Sequence, residues 1–199
     1  MRGTTIMKLR LMLATLLSSA LISSAFAAWE LDNDNSRINF VSIKKGNVPE
    51  LGRFTSLEGS ISNNGETTLK INLASVDTKI QIRDERMRDL LFETSKFAQA
   101  TFSAQIDLSF LNNLPISGRA IQIIGGKFDL HGISKDIKAD VMLTRLSMNQ
   151  FAVSSFAPVL LNTEDFQMNA GIEKLRELAG LPSISYAVPV TFHLTFKAR

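Results

Sequence analysis

The chain contains no cysteine, which excludes disulfides, thiolate nucleophiles and cysteine-ligated metals. Whatever folds here is held by its core alone. Histidine is almost as scarce, with only His131 and His193. His131 precedes Gly132 in a hairpin-turn signal and reads as an exposed turn residue. His193 falls on the polar side of an alternating segment and reads as solvent-facing. Two histidines on separate strands, without carboxylates at ligand spacing, make a poor metal site. A serine nucleophile needs a base and an orienter, and no G-x-S-x-G elbow presents one. Glycine-rich phosphate loops and dinucleotide fingerprints are missing as well. The sequence therefore reads as a non-enzyme, with no cofactor and no metal.

An excess of one charge is also lacking. The whole chain has 22 Lys+Arg against 19 Asp+Glu, but Arg2, Lys8 and Arg10 lie in the first 27 residues, which leaves 19 cations against 19 anions. Nucleic-acid binding thereby loses its electrostatic support. No run of five or more like charges forms a tail.

Those first residues, "MRGTTIMKLRLMLATLLSSALISSAFA" (1–27), have a charged start, an apolar middle and a small-x-small ending at Ala25-Phe26-Ala27. This is the pattern of a secretory leader cleaved after Ala27. Translation starts at Met1 or at Met7, where "MKLR" gives a more compact charged region. The apolar stretch is interrupted by four serines and a threonine and is weakly apolar for a bilayer span. That pattern, with the resemblance carried by the segments quoted below, gives the periplasm of a bacterium as the expected location. Residues 28–199 are enough for one domain that buries ~70% of its unfolded surface.

In that domain the dominant period is two. Ala100, Phe102, Ala104, Ile106 and Leu108 alternate with polar residues, as do Leu69, Ile71 and Leu73, and as do Val190, Phe192, Leu194 and Phe196. Such alternation predicts antiparallel strands with one apolar face. Turn signals fall between them at 63–65, 112–115 and 131–132. "RINFVSI" (37–43) and "RAIQIIGGKFDL" (119–130) are further strands, the latter bulged or bent at Gly125-Gly126. Two stretches break the pattern. Met87, Leu90 and Leu91 have the spacing of a short helix, and so do Ile172, Leu175 and Leu178, which end at Gly180 and Pro182. The reading is an all-β fold, an antiparallel barrel of about eight strands capped by one or two short helices.

The densest charge cluster is "IRDERMRDLLF" (82–92). On a helix, Asp84–Arg88 and Glu85–Arg88 are ion-pair spacings, so the cluster reads as a salt-bridged lid with Met87, Leu90 and Leu91 against the barrel. The alternative is that Arg83 contacts the polar head of a ligand. The thirteen phenylalanines leave two readings of the interior. An eight-stranded barrel is wide enough either to fill itself or to hold one slender ligand.

Four segments, in order, carry a resemblance. They are "WELDNDNSRINF" (29–40), "GRFTSLEGSI" (52–61), "ASVDTKIQIRDERMRDLLFETSKFAQATFSAQI" (74–106) and "GKFDLHGISKDIKADV" (126–141). Together they resemble the YceI-like family of periplasmic proteins with a lipocalin-like fold, over essentially all of residues 28–199. The resemblance implies a barrel whose interior holds a long isoprenoid, polyprenyl or quinone-like. It implies a tunnel lined by Phe40, Phe54, Ile71, Phe102, Ile106, Phe128 and Phe192, closed at one end by Met87, Leu91 and Phe92. The chain departs from the family in having Gln99-Ala100 where relatives often have a proline, and in lacking an arginine before Asp165-Phe166. The competing expectation is a solid barrel acting as a stress-response or interaction module. A homodimer is admitted beside the monomer.

Overall fold

A computed structural model describes residues 27–199; the expected leader lies outside the described residues, except for Ala27. The strands are β1 (Ala27–Leu31), β2 (Arg37–Lys44), β3 (Val48–Phe54), β4 (Leu57–Ser62), β5 (Glu66–Asn72) and β6 (Val76–Asp77). After them come α1 (Gln81–Arg86), a π-helical turn (Met87–Leu91), β7 (Gln99–Gln105) and α2 (Leu108–Asn113). The rest is β8 (Arg119–Leu130), β9 (Ile133–Ser147), β10 (Gln150–Ser155), β11 (Val159–Asn162), α3 (Asn169–Leu178) and β12 (Ala187–Ala198).

Eight antiparallel strands close on themselves in the order β1-β4-β5-β7-β8-β9-β10-β12, and β12 returns to β1 through Trp29 opposite Ala198 and Leu31 opposite Phe196. The barrel is as the alternation predicts. Its two halves differ, and a belt of broken strands divides them. β1 and β2 are separated by a 3-10 turn at Asn33–Asn35, β3 and β4 by Thr55-Ser56, and β5 and β6 by a 3-10 turn at Leu73–Ser75. Side chains tie the three breaks together. Leu57 N donates to Asn33 Oδ1 at 2.8 Å, and Thr55 N and Ser56 N both donate to Ser75 Oγ at 3.1 Å. Asparagine and serine suit this role because their short polar side chains replace the ladder bonds that a break removes.

Below the belt the barrel is solid. Phe151 stacks on Phe196 at 5.2 Å and meets the edge of Trp29 at 4.9 Å. Ile61, Val141 and Leu111 are buried around them. α2 closes this end, and here the strand expected to run to Leu108 stops at Gln105. Asp107 is the N-cap, its carboxylate accepting from Ser109 N at 2.8 Å. Arg145 is also buried at this end, 8% exposed. Its Nε donates to Ser147 O at 2.7 Å, Nη1 to Leu111 O at 2.9 Å and Nη2 to Met148 O at 2.8 Å. The guanidinium also lies 5.9 Å from the centre of the Trp29 ring.

Above the belt β12 changes partners, pairing with β2 and β11 instead of β1 and β10. β3 pairs with β6 only at Arg53 and Phe54, so, among the described residues, 48–52 pair with β2 alone. Gly125-Gly126 is neither bulge nor break, for β8 and β9 stay in register through both. A Cβ on Gly126 would stand 2.6 Å from the Phe102 ring; glycine is there to let β7 and β8 approach. Among the described residues no helix is long and apolar enough to cross a membrane.

Candidate binding cavity

The upper half holds a partly open cavity of about 210 Å3. Ile71, Leu73 and Ala100 form its floor at the level of the belt, and Ile38, Phe40, Phe54, Phe128, Val188 and Val190 stand in its walls. Phe40–Phe54 and Phe54–Phe92 are each 5.6 Å apart, a row of rings that leads from the wall into the lid. The lid itself has two parts. The π-helical turn contributes Met87 and Leu91, with Phe92 next to them, and α3 contributes Ile172 and Leu175. A Cβ on Gly171 would stand 2.6 Å from Leu90 O and 2.9 Å from Leu91 Cα, so the two parts touch backbone to backbone. Tyr186 Oη donates to Glu173 Oε1 at 2.8 Å and anchors α3 to the chain that enters β12.

The charged groups that line the cavity, Lys44, Glu50, Arg83 and Arg86, gather on one side. Lys44 Nζ donates to Glu50 Oε2 at 2.6 Å, and Arg83 pairs with the same carboxylate. Arg83 Nε and Nη2 also donate to Thr78 Oγ1 and O, at 2.8 and 2.9 Å. Asp84 is buried and turns away from the helix, accepting from Thr78 N and Oγ1 at 2.9 and 2.5 Å. Burial lowers the pKa of Arg83 despite the Asp84 charge. Burial also lowers that of Lys44, helped by the neighbouring Arg83. The two cations share one carboxylate in a partly dehydrated place, which suits them to donate to an oxygen of a bound molecule.

The expected pairs Asp84–Arg88 and Glu85–Arg88 are not formed among the described residues. The reason is burial: Asp84 gains two short hydrogen bonds inside, worth more than a water-screened surface pair. Glu85 instead accepts from Gln81 Nε2 at 3.0 Å.

Of the residues proposed from sequence, the structure gathers Phe40, Phe54, Ile71, Arg83, Met87, Leu91, Phe92 and Phe128 on one cavity. It leaves out Phe102, Ile106 and Phe192, which are half-buried against the core without reaching that wall. Phe102 shares a face with Ala100 and stands between Leu69 on β5 and the cavity-wall Phe128 on β8. Ile106 is lower in the barrel, and Phe192 sits opposite Ile38 beside the belt. Alternation reveals which face a residue takes; it does not reveal which inward side chains reach the cavity. Phe166 and Met168 were missed. Phe166 ends a 3-10 turn (Thr163–Phe166) and Met168 follows it, in a stretch with no period, yet both are buried on the cavity wall.

His131 departs from its expected exposure. Its turn has φ 53°, and its ring is 4.4 Å from Phe97 and 3.0 Å from Glu93 Oε2. Glu93 titrates below the usual glutamate range because Lys96 and then His131 bond to its charged form. His193 is exposed and shares a 2.8 Å hydrogen bond with Ser154. The two histidines do not meet, and no group of three or more His, Asp or Glu among the described residues is placed to hold a metal.

A further carboxylate beside the cavity sets an acid limit. Asp77 is held well below the usual range, first by Lys79, whose Nζ and N donate at 2.8 and 2.9 Å, and then by Arg53 at 2.9 Å. A depressed folded pKa means that this contribution to stability is present above the unfolded value of ~3.9 and is lost as pH falls below it. Urea midpoints measured from pH 6 to pH 2 should therefore fall less steeply for Asp77→Asn than for the wild type.

A barrel that is solid at one end and hollow and lidded at the other, with an apolar interior and one polar corner, defines a lipocalin-like binding protein. The YceI-like domain matches residues 29–196, and the chain belongs to that family. It is 40% identical to a polyisoprenoid binding domain from Saccharophagus degradans implicated in plant cell wall breakdown, with a TM-score of 0.85 over 87% of this chain and 99% of that one. BcnA from Burkholderia cenocepacia is 19% identical, with a TM-score of 0.62 over 83% of this chain and 98% of that one. A YCEI protein from Campylobacter jejuni is 18% identical, with a TM-score of 0.55 over 74% and 84%. The last two share the fold. No curated protein matches the chain.

Proposed function

We propose that the protein is a periplasmic carrier that sequesters an isoprenoid lipid, a polyprenyl or prenyl-quinone molecule, in the hollow half of its barrel. The observation that carries this reading is the apolar cavity of about 210 Å3. That volume is far more than the ~10–15 Å3 a single water needs and below the ~300–1,000 Å3 of drug-sized pockets, so it suits one slender chain. Met87 and Met168 on its wall are flexible and allow it to widen. Each enclosed methylene contributes ~0.8 kcal/mol. The polar corner at Lys44 and Arg83 would donate to the ligand's head-group oxygen. Binding of this kind needs no bond making or breaking. The polyisoprenoid binding domain named among the relatives supports the same ligand class here, and the leader-like N-terminus supports export.

The test is organic extraction and native mass spectrometry of protein purified from periplasm. A co-purifying prenyl lipid is the expected result. Protein that arrives consistently empty, and that takes up neither polyprenols nor prenyl quinones in solution, sinks the proposal.

A further inference from the structure

The side of the cavity that bears the polar corner is a slot between two lips. One lip is residues 48–52 of β3, which no strand among the described residues covers on its outer edge. The other is the segment 79–86 that leads into and forms α1, and the Arg83–Glu50 pair spans the two. Both lips carry aliphatic side chains in the open. Val48 and Leu51 are 42% and 65% exposed on the first, and Ile80 and Ile82 are 48% and 53% exposed on the second. Single exposed apolar residues are ordinary, but a group around a cavity mouth marks an interaction surface. Lys45 is exposed in the turn beside Val48, and Lys79, its side chain 72% exposed although it also bonds Asp77, stands beside Ile80.

From this arrangement we infer that the two lips are a docking surface for a lipid bilayer, laid against the membrane so that a ligand chain passes between bilayer and cavity without crossing water. The inference rests on the carrier reading for its purpose, but not for its test. The physical reason is that the burial which holds an isoprenoid in the cavity also holds it in the bilayer. At ~0.8 kcal/mol per methylene, its concentration in free water is far too low for exchange by diffusion. Aliphatic tips flanked by lysines are what a membrane interface takes, with the side chains in the acyl boundary and the ammonium groups among anionic heads.

The experiment is flotation with phosphatidylethanolamine–phosphatidylglycerol vesicles. The wild type should rise with the vesicles. The double variant Val48→Asp/Ile82→Asp should lose at least ~10-fold in bound fraction, since each aspartate replaces a membrane-buried aliphatic group by a charge. Ile123→Asp, at a site 68% exposed on β8, should float like the wild type. Should the aspartates lower the urea midpoint, Ile80→Gln/Ile82→Gln serves in their place. A wild type that ignores the vesicles, or a double variant that floats unchanged, overturns the docking surface and leaves the lips to a protein partner. Polyprenol delivered from a cyclodextrin complex separates this from the carrier reading. The wild type and the double variant should take it up alike, and failure of both to do so defeats the carrier reading while flotation still decides the docking surface.

Discussion

Replacing Arg145 by alanine should destabilise the protein by about 3–5 kcal/mol, one of the largest losses any single side chain here can produce. The guanidinium is 8% exposed and satisfies three backbone carbonyls, those of Leu111, Ser147 and Met148. Removing it strands those acceptors, opens a void beside Trp29 and releases the C-terminal turn of α2. Among the described residues no carboxylate pairs with it, so the charge is held by carbonyl dipoles and the indole face. Arg145→Lys should recover only part of the loss, because one ammonium cannot reach three carbonyls in a planar fork. Urea denaturation reads the effect as a lowered midpoint at unchanged slope. A loss below ~1 kcal/mol would mean that water replaces the guanidinium at little cost. Prenol uptake by the folded variant should be unchanged, since the residue lies at the far end from the cavity.

Ala100→Phe should do the reverse. Ala100 is 1% exposed and forms the cavity floor, so a phenyl ring there enters space that the ligand chain would use. Excluding four or five methylenes at ~0.8 kcal/mol each lowers affinity by about two to three orders of magnitude. The urea midpoint should hold or rise, because the ring fills a void instead of crowding a packed core. Titration with a fluorescent polyprenol analogue measures the first effect, and denaturation the second. Unchanged affinity would place the bound chain outside this cavity.

Much of this architecture is written in the period-two pattern, since a barrel strand has one face in the core and one in water. The pattern located β5, β7 and the second half of β12. It failed where two structures share a period. Ile106 and Leu108 go on alternating past the end of β7, so the strand was read through to the first residue of α2 although Asp107 is a good cap. The lid was legible as an amphipathic turn at Met87 and Leu91, but its ion pairs were not. Arg83 finds Glu50 across the slot, a contact that only the closed sheet creates. The same limit explains His131, whose exposure is removed by Glu93 and Phe97 from a distant segment. Arg145 left a trace that was passed over. It continues the inward series of Val141 and Leu143 on β9, and a cation in that series signals a buried polar anchor. Phe102 and Phe192 show a further limit: each pairs directly with a cavity-wall residue, Phe128 and Ile38, yet does not reach the cavity itself, which alternation does not reveal.

The belt of broken strands also bears on how such a protein can change over generations. Asn33, Thr55-Ser56 and Ser75 cross-link the wall at one level, and they separate the aromatic packing that makes the chain fold from the pocket that makes it useful. Substitutions at cavity-facing positions above the belt meet space that is already hollow, where added volume is cheap. Substitutions below it meet a close-packed end and are costly. Selection can therefore reshape the pocket for a different cargo while the folding machinery stays fixed. Drift among descendants of this chain should be concentrated in the upper storey, and ancestry should remain readable in the lower one.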